Sequence, residues 1–304
     1  MKFQLYFFKS FKNKYFSIIC LFIFLIEYYD IYSEKNIELK LQNTKNIFSF
    51  WEPRNGIPGY ISLCIKTWKK YLPQYRINIL DYKSAKKCIG ANLFNKIVDK
   101  EMPLLVQSDA IRVSLLKKYG GVWMDADTII TNGNFIKNLE KYELVMIGAN
   151  KTQHIGFIMA SLNSVIIDKW LNEIINKVSI YRDIVSQSKI RRHIVKWDYL
   201  GNEIVDRVLN SFKGNKFFRL DKYKINAFPE IKFFENTSLG ADEKYKLLYF
   251  QKREPKIILN NSKGIILLHN SWTPLEYKKL TEKEFLKKDI LLSRLLSQIL
   301  YICL

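Results

Sequence analysis

The sequence predicts an α/β fold in which helices flank a central sheet. Three observations carry that expectation. A strand, a loop, a helix and a second strand follow one another over residues 46–80. A helical pattern then runs through a Gly-Gly pair into another apolar strand over residues 103–130. Short apolar runs after residue 140 alternate with longer segments of helical periodicity, the arrangement of layered α/β domains.

The first strand is Ile47-Phe48-Ser49-Phe50-Trp51. After the loop from Pro53 to Gly59, a helix is expected over Tyr60 to Tyr71 and a strand over Arg76 to Leu80. Such a unit is a nucleotide-binding half, with the ligand at the carboxyl ends of its strands. Trp51 closes the first strand, placed either to stack on a base or to fill the core.

The chain is organised around Pro103 to Ile130, PLLVQSDAIRVSLLKKYGGVWMDADTII. Pro103 suits a first helical turn, because its missing N–H costs nothing there. Leu104, Leu105, Ile111, Leu115 and Leu116 recur at helical spacing and predict the buried face. Gly120 and Gly121 end the helix, where a side chain would resist the backbone turn. Val122 to Ala126 reads as a strand. Asp109 and Arg112 lie three apart on the helix and share a face. Asp125 and Asp127 lie two apart at the strand's exit, where alternation turns both to one side. Two carboxylates on one edge suit Mg²⁺ or Mn²⁺, hard cations that complete their shells with water and substrate phosphates. In isolation an Asp-x-Asp is as often a solvated turn. The apolar strand before it and the charged helix beside it favour a site.

This stretch resembles the sugar-nucleotide-binding signature of glycosyltransferase family 32. That group is similar to capsular polysaccharide synthesis transferases, initiating mannosyltransferases and the glucosylating domains of clostridial toxins. The shared pattern is Asp109-x-x-Arg112, a helix, Tyr119-Gly120-Gly121, the aromatic Trp123, and Asp125-x-Asp127. Weaker resemblance spans roughly residues 46–275. It implies a GT-A type, Rossmann-like fold with a central mixed sheet, a metal-dependent reaction on a nucleotide-sugar donor, and retention of anomeric configuration. It also implies that Trp51 sits by the base. Asp109 and Arg112 would serve the donor, Trp123 would pack the nucleoside, and His154, Gly156 and Phe157 would lie near the sugars.

Strands are expected over Glu143 to Ala149 and Ile155 to Ala160, with helices over Ser164 to Val178 and Gly201 to Phe212. Between those helices lies the basic cluster Lys189-Ile190-Arg191-Arg192-His193. A last apolar strand, Ile265 to Leu268, delivers His269, Asn270, Ser271 and Trp272. By the same resemblance His269 or Asn270 helps hold the metal and pyrophosphate, and Trp272 covers the leaving phosphates. Toxin-like members carry an acidic residue just upstream that is missing here, so the third protein ligand is open. Residues 281–304 read as one amphipathic helix bearing Phe285, Ile290, Leu291, Leu295 and Ile299. Packing on the domain is the first reading, lying on a membrane the second.

Composition bounds the function classes. The chain has 304 residues, 48% hydrophobic and 26% charged, with a net charge of +20. That excess points to anionic partners or to a Lys-rich coding bias. Zinc-finger and RNP-type patterns are missing, so nucleic acid is not an expected partner. Cys20, Cys64, Cys88 and Cys303 show no paired spacing, which argues for reduced thiols. Three histidines in all make a His cage improbable. The sequons at Asn236 and Asn260 carry little weight in so Asn-rich a chain.

At the N-terminus, Lys2, Lys9, Lys12 and Lys14 precede an apolar run from Tyr15 to Ile26, shorter than the roughly 20 residues of a spanning helix. It predicts membrane association as a short anchor or an interfacial helix, and otherwise a helix packed on the domain. Three regions follow: a membrane-associating segment and linker over 1–45, a catalytic domain over 46–280 and a terminal helix over 281–304. The expected function is transfer of a sugar to a glycan or lipid-linked acceptor in surface polysaccharide synthesis. The expected location is the cytoplasmic face of a bacterial inner membrane, or the Golgi as a type II protein. A nucleotidyl- or phosphotransferase, and a non-enzymatic basic membrane-surface protein, are the competing classes.

Overall fold

The computed structural model describes residues 45–149, 152–187, 195–212 and 217–301. The chain divides into two units, Met1–Asn43 and Thr44–Leu304. The expected membrane-associating run, the basic cluster at 189–193, Cys20 and Cys303 lie outside the described residues.

The second unit opens with β1 (Asn46–Phe50), α1 (Gly59–Tyr71) and β2 (Arg76–Leu80), within a residue of expectation. Two short helices follow, α2 (Tyr82–Ile89) and α3 (Ala91–Ile97), which the sequence reading left unassigned. Helix α4 (Leu104–Tyr119) leads through the glycines into β3 (Gly121–Met124), and β4 is Thr128–Ile130. Then come β5 (Leu144–Ala149), β6 (Thr152–Ala160), α5 (Val165–Gln187), α6 (Asn202–Ser211) and β7 (Phe217–Asp221). The chain continues through α7 (Pro229–Phe233), α8 (Ala241–Tyr249), β8 (Ile265–Leu267), α9 (Glu282–Leu286) and α10 (Leu291–Leu300).

Among the described residues the main sheet has six strands in the order β2-β1-β3-β6-β5-β7, and β4 with β8 makes a separate pair. β2, β1 and β3 run parallel, β6 is antiparallel to both β3 and β5, and β7 is parallel to β5. The mixed sheet flanked by helices is therefore present. Its parallel half is the predicted nucleotide-binding unit.

Helix α4 differs from its predicted face. Ile111, Leu115 and Leu116 are fully buried, but Leu104 and Leu105 are about half exposed, at 45% and 52%. Val106, Ala110 and Val113 are buried instead. A helix covered on several sides has no single stripe for periodicity to find. The Gly-Gly turn is as expected. Gly120 and Gly121 have φ of 61° and 92°, and a Cβ on Gly121 would stand 2.7 Å from the Asn46 carbonyl oxygen. Side chains are excluded there by both backbone and neighbour.

The C-terminal segment is two helices rather than one. Thr281 and Glu284 form a capping box that starts α9, and Leu291 begins α10 after a break. All five expected apolar residues are buried in the same cluster as α1 and α8. Each such side chain contributes roughly 1.5–3 kcal/mol by leaving water. The break lets both short helices turn an apolar face inward, which one straight helix would not.

Candidate functional site

Strand β3 ends at Met124, so Asp125, Ala126 and Asp127 form a turn beyond the strand, not its last residues. The Asp125 N–H donates to the Gly156 carbonyl (2.8 Å), and the Thr128 N–H donates back to the Asp125 carbonyl (3.0 Å). The two carboxylates thus share a tight turn between two sheets, because Thr128 immediately enters β4. Turn geometry, not strand alternation, sets their direction.

Each aspartate is held by its own partners. The Trp123 indole N–H donates to Asp125 Oδ1 at 2.8 Å, and Arg112 Nη2 lies 3.3 Å from that oxygen. Asp125 is about one-third exposed (34%), and its Oδ2 faces Gly156. A Cβ on Gly156 would stand 2.9 Å from that oxygen and 2.7 Å from the His154 ring. Asp127 Oδ2 accepts the Asn270 N–H at 2.7 Å, and Asn270 Oδ1 accepts the Tyr60 hydroxyl at 2.5 Å. Burial pushes the Asp127 carboxyl well up, and the Asp125 charge pushes it further. The Asn270 N–H and His269 oppose that shift.

Beneath the turn lies a buried charge cluster. Arg112 Nη2 is 3.1 Å from Asp109 Oδ1, Nη1 donates to the Ile155 carbonyl, and the guanidinium lies 4.9 Å over the Trp123 ring. Asp109 and Arg112 are 1% and 2% exposed, and Gly201 packs against Asp109 Oδ2. Burial pushes the Asp109 carboxyl up to about 7, although Arg112 opposes it; Asp125 and Asp198 add to the rise. A guanidinium shared between two carboxylates neutralises neither fully.

This arrangement changes three expectations. Trp123 is 1% exposed, so it offers no ring face to a nucleoside and instead aims Asp125. Arg112 and Asp109 do not reach the open site. They support it from below, because the helix that carries them is packed on several sides. Asn270 holds Asp127 through its backbone N–H, while its side-chain oxygen accepts the Tyr60 hydroxyl.

His269 packs tilted against Trp272, with ring centroids 3.9 Å apart, and stacks on Phe228 at 5.5 Å. Among the described residues no group of three His, Cys, Asp or Glu side chains is arranged to hold a metal ion. The protein offers a pair of aspartates, not a cage. That pair suits a hard divalent cation: both donors are oxygens, and their mutual repulsion raises Asp127 in a way a cation would relieve.

Trp51 is half-buried just past β1, and its N–H donates to the Leu80 carbonyl at 2.8 Å. It stands at the carboxyl ends of the parallel strands, as predicted. Trp272, also half-buried, follows β8. His154 lies in β6 and is pushed down to about 4, chiefly by burial and against the Asp125 charge. It is neutral at pH 7, and its Nδ1 accepts the Gly156 N–H at 3.2 Å. Sequence reasoning missed Tyr60 and Glu230. Tyr60 entered only as the first residue of the expected helix. Glu230 follows Pro229 at a helix start, where an exposed acid is ordinary, and only its burial sets it apart.

Fold and site together define an α/β domain that gathers two carboxylates at the end of a parallel half-sheet. The chain belongs to the family of capsular polysaccharide synthesis proteins, whose model matches residues 12–192. That match starts well before residue 46 and stops short of 275, so the resemblance includes part of the N-terminal segment. No curated protein matches it. Several solved structures are distantly similar, among them three glycosyltransferases. The apo-form glycosyltransferase GlyE of Streptococcus pneumoniae TIGR4 is 13% identical, with 80% of this chain and 62% of that one covered and a TM-score of 0.37. The PaToxG glycosyltransferase is 16% identical, with 91% and 98% covered and a TM-score of 0.35. A glycosyltransferase involved in glycosylating the major capsid of PBCV-1 is 11% identical, with 66% and 97% covered and a TM-score of 0.30. This chain thus spans less than two thirds of GlyE, and likeness at this level transfers neither residues nor substrates.

Proposed function

We propose that the protein moves a sugar from a nucleotide-sugar donor to a glycan or lipid-linked acceptor, using Mn²⁺ or Mg²⁺ at Asp125 and Asp127. The carrying observation is the pair of carboxylates fixed independently, one by Trp123 and Arg112, the other by Asn270 and Tyr60. A divalent cation bound there supplies positive charge to the donor diphosphate as the glycosidic bond breaks.

The chain's own residues do the positioning. Trp51, at the carboxyl end of β1, packs against the nucleobase, and Trp272 covers the diphosphate. Arg112 aims Asp125 without touching the donor. Asp109 balances Arg112 inside the fold. Among the described residues no side chain is placed as a nucleophile; with the retention that the family resemblance implies, the acceptor hydroxyl oxygen would attack the anomeric carbon on the leaving-group face while the bond to the diphosphate breaks and the departing diphosphate oxygen takes the hydroxyl proton. NMR of the product anomer tests that step, and an inverted product would remove it. The reading places the protein on the cytoplasmic side of a membrane, where nucleotide sugars are made, with its positive charge against anionic lipid.

The deciding experiment offers a panel of nucleotide sugars to purified full-length protein with and without Mn²⁺. Metal-dependent release of nucleoside diphosphate from one donor is expected, and at least a hundredfold loss in Asp125→Ala/Asp127→Ala. Release of pyrophosphate, or a phosphorylated product, would instead assign the site to nucleotidyl or phosphoryl transfer. No release and no metal-dependent nucleotide binding would end the transferase reading.

A further inference from the structure

A partly open pocket lies on the other half of the sheet. A cavity of about 190 Å³ is walled by His154, Lys222, Phe228, Glu230, His269 and Trp272. A cavity of about 150 Å³ holds a benzene ring, so this one has room for a single six-membered ring. It is built on β5, β6 and the residue after β7, across Asp125 from β1, β2 and Trp51.

The lining has the chemistry of a sugar site. Glu230 is 1% exposed, and its Oε1 has no hydrogen-bond partner among the described residues. The His269 Nε2 is 3.7 Å away, beyond hydrogen-bond reach. A buried carboxylate oxygen without a donor is costly, and a ligand hydroxyl would supply the donor. Phe228, His269 and Trp272 form an aromatic wall, with Phe228 and His269 only 17° from parallel and Trp272 tilted 38° to His269. Aromatic faces carry negative charge density that attracts polarised C–H groups such as those on one face of a pyranose. Lys222 and Glu230 contribute one charge of each sign, and His154 is neutral, so the lining has no net preference for a charged ligand.

We propose that this cavity is the subsite for the acceptor's terminal sugar, an uncharged pyranose with a hydroxyl that donates to Glu230. The proposal rests on the transferase reading above. Its position supports the assignment: the nucleoside half of the sheet lies on one side of the aspartates and the cavity on the other, so the two sugars would meet at Asp125.

The test uses full-length protein without donor, titrated by NMR with methyl glucoside, galactoside, mannoside, N-acetylglucosaminide and glucuronide. At least one neutral pyranoside should bind in the millimolar range, and Glu230→Gln and Ala241→Phe should each weaken it at least tenfold. Ala241 lines the same cavity from an exposed position, so phenylalanine there fills the space with little risk to folding. If Glu230→Gln does not fold, Ala241→Phe decides alone. Equal binding in wild type and variants, or preference for the glucuronide, overturns the proposal. Donor hydrolysis without pyranoside binding overturns the subsite and leaves the transferase reading standing. Pyranoside binding without donor hydrolysis overturns the transferase reading, and the acceptor role with it.

Discussion

Arg112 shows how a buried charge serves a site it does not touch. Its guanidinium pairs with Asp109, reaches Asp125 and lies over Trp123, all at 2% exposure. Removing one member of such a group leaves the others buried without compensation. Arg112→Met should therefore destabilise the fold by about 3–5 kcal/mol in denaturant titrations; a loss under 1 kcal/mol would show that the cluster is not a support. Asp127 titrates in the opposite sense to most carboxylates. Its carboxyl is raised from 3.8 to about 7, first by burial and then by Asp125. A raised acid adds stability below its unfolded value, and that stability is lost as pH rises through the folded one. Compared with Asp127→Asn, the metal-free wild type should lose melting temperature between about pH 4 and pH 7. Metal binding needs the ionised form, so Mn²⁺ affinity should fall roughly tenfold per pH unit below about 7 and level off above it. Calorimetry across that range checks both signs, and a flat profile would place the Asp127 titration elsewhere.

At the scale of elements, the turn from α4 into β3 decides where the aspartates emerge. Gly121 combines a φ of 92° with contact against the β1 backbone, and β3 pairs with β1 at the next residue, Ile47 against Val122. Gly121→Ala should cost at least about 1–3 kcal/mol from backbone conformation alone, because the Asn46 carbonyl is main chain and cannot swing aside. Gly156 is a useful contrast. A Cβ there meets the side chains of His154 and Asp125, so Gly156→Ala should keep its melting temperature within a few degrees while Mn²⁺ binding drops. Equal losses of stability in the two variants would mean that the β3–β1 approach is not the tighter constraint.

At the scale of the whole molecule, 49 basic residues against 29 acidic ones give the charge of +20. Surface ion pairs such as Lys117–Asp168 and Arg207–Glu173 match bases to acids one for one and leave the excess unchanged, and exposed pairs of this kind add little stability. The surplus is a long-range field suited to an anionic surface. Full-length protein should sediment with phosphatidylglycerol vesicles at low salt and leave them at about 1 M salt, where the screening length shrinks to roughly 3 Å. Equal binding to neutral vesicles, or binding indifferent to salt, would separate the charge from any membrane role.

The local rules of the chain determined a good deal by themselves. The β1–α1–β2 unit, the Gly-Gly turn and the two aspartates were legible because they depend on neighbours in sequence: periodicity, backbone freedom and spacing. The position of Trp51 at a strand end was legible for the same reason. The roles of Trp123, Arg112 and Asn270 were not, since each depends on a partner reached across the fold, from Ile155 on β6 to Tyr60 on α1. Leu104 and Leu105 were misjudged because a helix buried on several sides defeats a one-face pattern. Glu230 carried no signal at all: an acid after proline at a helix start is ordinary until packing seals it beside a cavity. Sequence alone determined which residues carry paired oxygen donors, because that is a property of side chains and their spacing. Only the tertiary structure decided which of them face the site and which hold it from behind, because burial is set by contacts between segments far apart in the chain.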